Sequence, residues 1–200
     1  MMMAAWILFP YDPSEPRMKH LNLEAQAHEL TFSCYKGLPL LLDDRTRTWF
    51  IESIEEARSK RDFSVFAFVV MPEHIHIIIR PNHLVYDTSW FLKSIKQPVS
   101  RKASHWLKQH DPKGYDQLTY VRRDGFREFR FWQAGGRYDR NIVDRATLLR
   151  MIDYVHRNPV RRGLVENPTD WTWSSTSWYE TGECILQIAP LPDWTRASFA

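Results

Sequence analysis

Two histidines, His74 and His76, stand two residues apart in the run Met71-Pro72-Glu73-His74-Ile75-His76-Ile77-Ile78-Ile79-Arg80-Pro81. The run is apolar and rich in isoleucine, with proline near each end, and reads as a β-strand. Side chains alternate along a strand, so Ile75, Ile77 and Ile79 share one face and His74, His76 and Ile78 the other. Two imidazoles roughly 7 Å apart at their Cα atoms, leaning the same way, can both reach one divalent metal ion. They can equally be two polar residues on the solvated face of a half-buried strand.

A second candidate group lies about eighty residues downstream. Placed on a helical wheel at about 100° per residue, residues 144–158 put Leu148, Ile152 and Val155 on one buried stripe. Thr147, Met151, Tyr154 and Asn158 make a neighbouring stripe at its margin. Tyr154 and Asn158 are one turn apart on the same side, so a phenol and a carboxamide can look together into a site built on a sheet, or can equally be a boundary tyrosine with its hydroxyl in water and an asparagine near a helix end.

The elements that must position these groups follow from periodicity. An irregular arm is expected over residues 1–26. A first strand is expected from His28 to Tyr35, broken by Lys36-Gly37-Leu38-Pro39. A helix with Asp43 or Asp44 as N-cap runs to about Lys60, with Trp49, Phe50, Ile54 and Ala57 on one stripe. Phe63–Val70 is almost wholly apolar and reads as a strand central in its sheet. A tight link then forms an antiparallel hairpin with the histidine strand. A second helix is expected from Thr88 to about Gln109, kinked or split near Gln97 by Pro98. Residues 110–127 read as an extended loop. Phe129–Gln133 is a short strand, leading into Ala134-Gly135-Gly136. The third helix starts near Asp144 and is expected to stop at Asn158, because proline disfavours helical geometry in the residue before it. A tail follows, bearing Trp171, Trp173, Trp178 and Trp194.

The order strand–helix–strand–strand–helix–strand predicts an α+β fold of the ferredoxin-like or RRM-like kind. Its antiparallel sheet carries helices on one face, and a C-terminal helix and irregular tail are added. The expected organisation is the arm (1–26), a catalytic domain (27–163) and a tail packing on that domain (164–200).

The chain has 200 residues and a formal charge of +3. Between Lys93 and Arg140 twelve Lys/Arg face five Asp/Glu, a local +7, so the rest of the chain sums to −4. A basic segment in a near-neutral chain suits a polyanion-binding face, and equally a solvated helix and loop. Cys34 and Cys184, the only two cysteines, fit no zinc spacing. With no secretory signal in the opening residues, reduced thiols and a cytoplasmic location are expected.

Taken together, the residues carry a resemblance. Val70-Met71-Pro72-Glu73-His74-Ile75-His76, then Trp132-Gln133, Tyr138-Asp139-Arg140 and Asp153-Tyr154-Val155-His156-Arg157-Asn158-Pro159-Val160-Arg161-Arg162-Gly163-Leu164-Val165, are similar to the single-tyrosine transposases of the His–hydrophobic–His superfamily. The nearest subgroup is the REP-associated tyrosine transposases, and the likeness covers about residues 27 to 180. The resemblance implies a ferredoxin-like catalytic domain in which His74, His76 and Asn158 hold Mg²⁺ or Mn²⁺ and Tyr154 is the nucleophile. It also implies single-stranded DNA folded into imperfect hairpins as the partner. The tryptophan-bearing tail, typical of that subgroup, points to a monomer over a homodimer.

The chemistry so implied is phosphodiester cleavage through a 5′-phosphotyrosine link with release of a 3′-hydroxyl, reversible by attack of another 3′-hydroxyl. Phosphate contacts are expected from Lys96, Arg101, Lys102, Arg122, Arg123, Arg137, Arg140, Arg161 and Arg162, with aromatic side chains stacking on unpaired bases. Tyr138 is the competing nucleophile. Two other readings stay open: a non-catalytic nucleic-acid-binding module of the same sheet topology, and a metal-dependent nuclease using activated water.

Overall fold

The computed structural model describes residues 26–83 and 86–192, with the backbone alone at 61, 136 and 137. The expected arm, Trp194 and the Arg137 side chain lie outside the described residues. Among those residues, no helix is long and apolar enough to cross a membrane.

Strands β1 (Ala27–Cys34), β2 (Phe63–Val70), β3 (His74–Pro81) and β6 (Trp132–Ile142) form one antiparallel sheet in the order β2-β3-β1-β6. Counting β6 as the fourth strand, this is the 4-1-3-2 order of a ferredoxin-like fold, as expected. Helices α1 (Asp44–Arg61) and α2 (Thr88–His110) cover one face, where Leu30, Phe32, Ile75, Ile77 and Ile79 pack with Phe50, Ile54, Phe91 and Ile95. Helix α4 (Arg145–Arg161) covers part of the other face, its Leu148, Ile152 and Val155 meeting Phe66, Val69, Met71 and Ile78. Asp43, Asp87 and Asp144 cap α1, α2 and α4, each carboxylate accepting a first-turn backbone N–H.

Strand β2 is an edge strand, where its apolar run suggested a central one. That run is apolar because β2 is covered on both faces: Val65, Phe68 and Val70 join the α1/α2 core, and Phe66, Ala67 and Val69 join the α4 core. A register shift between Val65 and Ala67 produces this switch. The free edge is sealed by the C-terminal segment. The Val70 N–H donates to Trp173 O at 2.8 Å, the Ser175 N–H to Phe68 O at 3.0 Å and the Ala189 N–H to Val65 O at 2.9 Å. Residues far ahead in the sequence thus replace the missing neighbour strand.

Helix α2 runs through Pro98 without splitting, and α4 runs through Pro159 where a stop at Asn158 was expected. Beside Pro98, the Ser53 hydroxyl of α1 lies 2.9 Å from Ile95 O, in the turn before the proline, as well as 2.7 Å from Phe50 O. Pro159 has no N–H to give to Val155 O, four residues back. The side-chain amide of Asn158 reaches that carbonyl at 3.4 Å and Tyr154 O at 2.9 Å, and α4 runs on to Arg161.

Residues 110–127 are not one extended loop. They form α3 (Pro112–Gln117), β4 (Thr119–Val121) and the start of β5 (Arg127–Phe129), which pairs with β4 as a separate ribbon. The expected short strand at Phe129–Gln133 is divided between β5 and β6. Strand β6 runs on to Ile142, with Gly135 at φ +75°, a backbone conformation that suits glycine.

The Tyr179 hydroxyl donates to Phe66 O at 2.7 Å, tying the tail to the irregular part of β2. Burial pushes this phenol up to about 12. A phenol in the unfolded chain titrates near pH 10, so the folded state holds the proton more tightly between those values. This contribution to stability is complete below about pH 10 and is lost as pH rises toward 12. A spectrophotometric tyrosine titration should contain two late ionisations, since burial also pushes Tyr86 up to about 12, and lose one of them in Tyr179→Phe.

Candidate active site

The histidines lie on the face opposite α1 and α2. Cross-strand register places Thr31 of β1 opposite His76 and Ser33 opposite His74, while Ile75 and Ile77 point into the α1/α2 core. The two imidazole Nε2 atoms face each other 3.1 Å apart with ring planes at 84°.

Each Nδ1 has its own acidic surroundings. His74 Nδ1 is 3.1 Å from Glu73 Oε1, whose carboxylate also takes the Arg162 guanidinium at 2.8 Å. Burial would raise Glu73, but the His74 hydrogen bond and the His74 and Arg162 charges hold its carboxyl below the usual range. His76 Nδ1 is 2.8 Å from Thr31 Oγ1. Glu29 Oε1 lies 3.7 Å away, beyond a hydrogen bond, and acts through its charge. Burial pushes the His76 imidazole below its usual range against the pull of Glu29, and His74 adds to the push.

Carboxylates beside both Nδ1 atoms favour a proton there, which leaves the Nε2 lone pairs directed at each other. Two lone pairs at this separation repel unless a proton or a cation lies between them. The histidine pair therefore fits a divalent metal ion, and its backing acids follow the pattern that orients ligating imidazoles elsewhere.

Tyr154 comes to this pair from α4. Its ring stands edge-on to His76, with centroids 5.6 Å apart at 89°, and the Arg161 guanidinium lies 5.1 Å from the ring centre. Asn158 is buried one turn on, and both amide N–H groups are used on helix carbonyls. Its carbonyl oxygen accepts no hydrogen bond among the described residues, which suits it to a hard cation. Among those residues no three His, Cys, Asp or Glu side chains gather at one point.

The basic residues divide between the two faces. Arg161 and Arg162 stand at the site, and Arg140 reaches α4, its Nη1 3.6 Å from Met151 Sδ. Lys96 lies on the opposite face, its ammonium over the Phe32 and Trp132 rings, and Lys102 on α2 pairs with Glu52 at 2.6 Å. Arg101 is exposed on α2. Arg122 and Arg123 lie in the connection between β4 and β5, exposed and away from the histidines in the chain's order, with Arg122 3.3 Å from Asp124. Tyr138 shares the histidine face, opposite Thr31.

Sequence reasoning missed Glu29, Thr31 and Glu73. For Glu29 the available signal was a glutamate within a strand whose neighbours Leu30 and Phe32 mark it as part of the core sheet, because a buried carboxylate needs a partner.

Comparison with known proteins agrees with this fold. A solved REP-associated tyrosine transposase bound to a REP hairpin shares the fold, with a TM-score of 0.65 at 18% identity over 90% of this chain and 95% of that one. A Haemophilus influenzae protein named as a REP-associated tyrosine transposase is 26% identical over 143 residues, 68% of this chain and 76% of that protein. The model of the family described as "Transposase IS200 like" matches residues 32–158, from within β1 to Asn158 and over more than half of the chain. A match of that extent, ending on the helix that carries the phenol and the amide, makes this chain a member of the IS200-like transposase family.

Proposed function

We propose that this transposase is a strand transferase that cuts and rejoins single-stranded DNA through a covalent 5′-phosphotyrosine at Tyr154. His74, His76 and Asn158 would hold Mg²⁺ or Mn²⁺. The observation that carries the reading is the convergence of Tyr154 and the histidine pair on one face of the sheet within a single chain. A monomer then has both halves of the site.

The roles follow from the side chains. Tyr154 Oη forms the new bond to phosphorus while the bond to the departing 3′ oxygen breaks; the phenol proton leaves to solvent, and the 3′ oxygen takes one up. When bound, the cation supplies charge neutralisation at the phosphoryl oxygens. Glu73, Thr31 and Glu29 keep the two imidazoles turned with Nε2 toward the site. Arg161, over the Tyr154 ring, offers a fixed positive charge to the attached phosphate. The reverse step needs a 3′-hydroxyl in place of the departed strand and no other energy source, because the phosphotyrosine retains the bond energy.

The solved relative is bound to a REP hairpin, and its shared fold supports hairpin DNA as the substrate class here. The test is mass spectrometry of tryptic peptides after incubation with a hairpin oligonucleotide and Mg²⁺ or Mn²⁺. A nucleotide-modified peptide spanning Tyr154 is expected. DNA cleaved with that peptide unmodified would favour a water-using nuclease, and binding without cleavage would leave only a nucleic-acid-binding module.

A further inference from the structure

We propose that Tyr138 is the platform on which an unpaired base beside the scissile phosphate stacks, and that it is not a nucleophile. The inference rests on the strand-transfer reading and deepens it.

Three neighbouring strands carry the argument. Thr31 on β1 is opposite His76 on β3 and also opposite Tyr138 on β6. Residues directly opposite in a sheet share a face, so His76, Thr31 and Tyr138 form a line across it. Strands lie about 4.8 Å apart, which sets the Tyr138 Cα about 10 Å from that of His76. Tyr154 approaches the same histidine from α4. Tyr154 therefore comes from above the sheet, whereas Tyr138 stands on the sheet surface one strand beyond Thr31.

Tyrosine is common on strands, and exposure alone decides little. Tyr138 is distinguished by its surroundings. It is 45% exposed, and among the described residues its ring stacks on nothing and its hydroxyl makes no hydrogen bond. The apolar stripe of α4 packs on β2, β3 and the Ile142 end of β6, and among the described residues it leaves Tyr138 open to solvent. Two residues on, Arg140 takes the same face and leans on Met151, one turn before Tyr154. An aromatic face beside a guanidinium, open to solvent next to a phosphate site, is what proteins present to single-stranded nucleic acid.

Tyr138 is also held in place. Its neighbour Asp139 points the opposite way and is buried, with Oδ1 2.8 Å from His28 Nδ1 and Oδ2 accepting from the Thr88 hydroxyl at 3.0 Å. His28 Nε2 in turn lies 2.6 Å from the Tyr86 hydroxyl. Moving Tyr138 toward the histidines would pull this network apart. The anchor keeps the phenol of Tyr138 at a distance and its ring in a constant position, which suits a base platform and not an attacking group.

The test measures binding, without added metal, of a hairpin oligonucleotide and of versions carrying one abasic site at each position flanking the cleavage point. Tyr138→Ala is expected to bind the intact DNA about 10-fold more weakly. It should also be insensitive to the abasic site at one position that weakens the wild type. Tyr138→Phe should behave like the wild type in both respects and still form the adduct with Mg²⁺ or Mn²⁺. Wild-type affinity in Tyr138→Ala, or an undiminished abasic penalty at every position, would overturn the proposal, as would loss of the adduct in Tyr138→Phe at saturating DNA. The binding measurement decides the role of Tyr138 whether or not the wild type forms an adduct; absence of that adduct would count against strand transfer alone.

Discussion

Tyr154→Phe is expected to abolish covalent attachment to single-stranded DNA, a loss on the order of 10⁴-fold or more, since no other group replaces a missing nucleophile. The substitution removes one oxygen and keeps the ring. That ring is half-buried, edge-on to His76 and beneath Arg161. Its hydroxyl makes no hydrogen bond among the described residues. Stability should therefore stay within about 0.5 kcal/mol of wild type, and affinity for hairpin DNA should be nearly unchanged. A labelled oligonucleotide run with the protein on a denaturing gel, beside a thermal melt, checks both points. An adduct formed by the variant at the wild-type rate would transfer the nucleophile's role elsewhere, with Tyr138 the first residue to examine.

Ending the chain after Gly163 is expected to remove stability on the order of 10 kcal/mol, comparable with the whole margin of a typical domain. The segment so lost contains Leu186 and Ile188, both almost fully buried in the α1/α2 core, with Trp173 and Trp178 packed against it. Burial of each aliphatic side chain contributes about 1.5–3 kcal/mol. The same segment supplies the backbone partners of Val65, Phe68 and Val70, and the Trp171 indole N–H donates to Val70 O at 3.1 Å. Without it, β2 would expose a long apolar edge with unpaired N–H and C=O groups, which promotes association between chains. The shortened protein should be poorly soluble and melt without a cooperative transition. A milder change probes the same seam: Ser175 Oγ accepts the Phe68 N–H at 2.9 Å and lies 2.8 Å from His156 Nε2. Ser175→Ala should cost about 1–3 kcal/mol by leaving a buried donor unpaired. If the shortened chain unfolds cooperatively at the full-length midpoint, the tail is an ornament and β2 needs no cover.

The outcome for β2 and for the two prolines has one cause. An apolar strand reports that both of its faces are buried and says nothing of its edges, so the closure of β2 by residues 173–175 and 189 was not readable from local pattern. Pro98 and Pro159 each carried a correct local rule, that a helix loses one hydrogen bond there. Whether the helix ends depends on its surroundings. At Pro159 the Asn158 amide folds back onto Val155 O, and at Pro98 the flanking Ile95 and Val99 are buried in the α1/α2 core.

The 110–127 segment failed as a loop for a different reason. Three-residue strands such as β4 and β5 are too short for periodicity to register. Strand β6 was truncated in the same way, because Gly135 and Gly136 read as an ending where the backbone only changes register against β1.

Local order along the chain was enough to settle the ferredoxin-like arrangement, the shared face of His74 and His76, and the marginal stripe holding Tyr154 and Asn158. These follow from side-chain periods of 2 and about 3.6, which the backbone imposes whatever surrounds it. Tertiary structure alone decided that Tyr154 stands edge-on to His76, that Glu29, Thr31 and Glu73 surround the imidazole Nδ1 atoms, and that Tyr138 lies opposite Thr31 on the same face. Those facts depend on strand register and on which helix covers which face, and both are set by burial summed over the whole chain and not by any one segment.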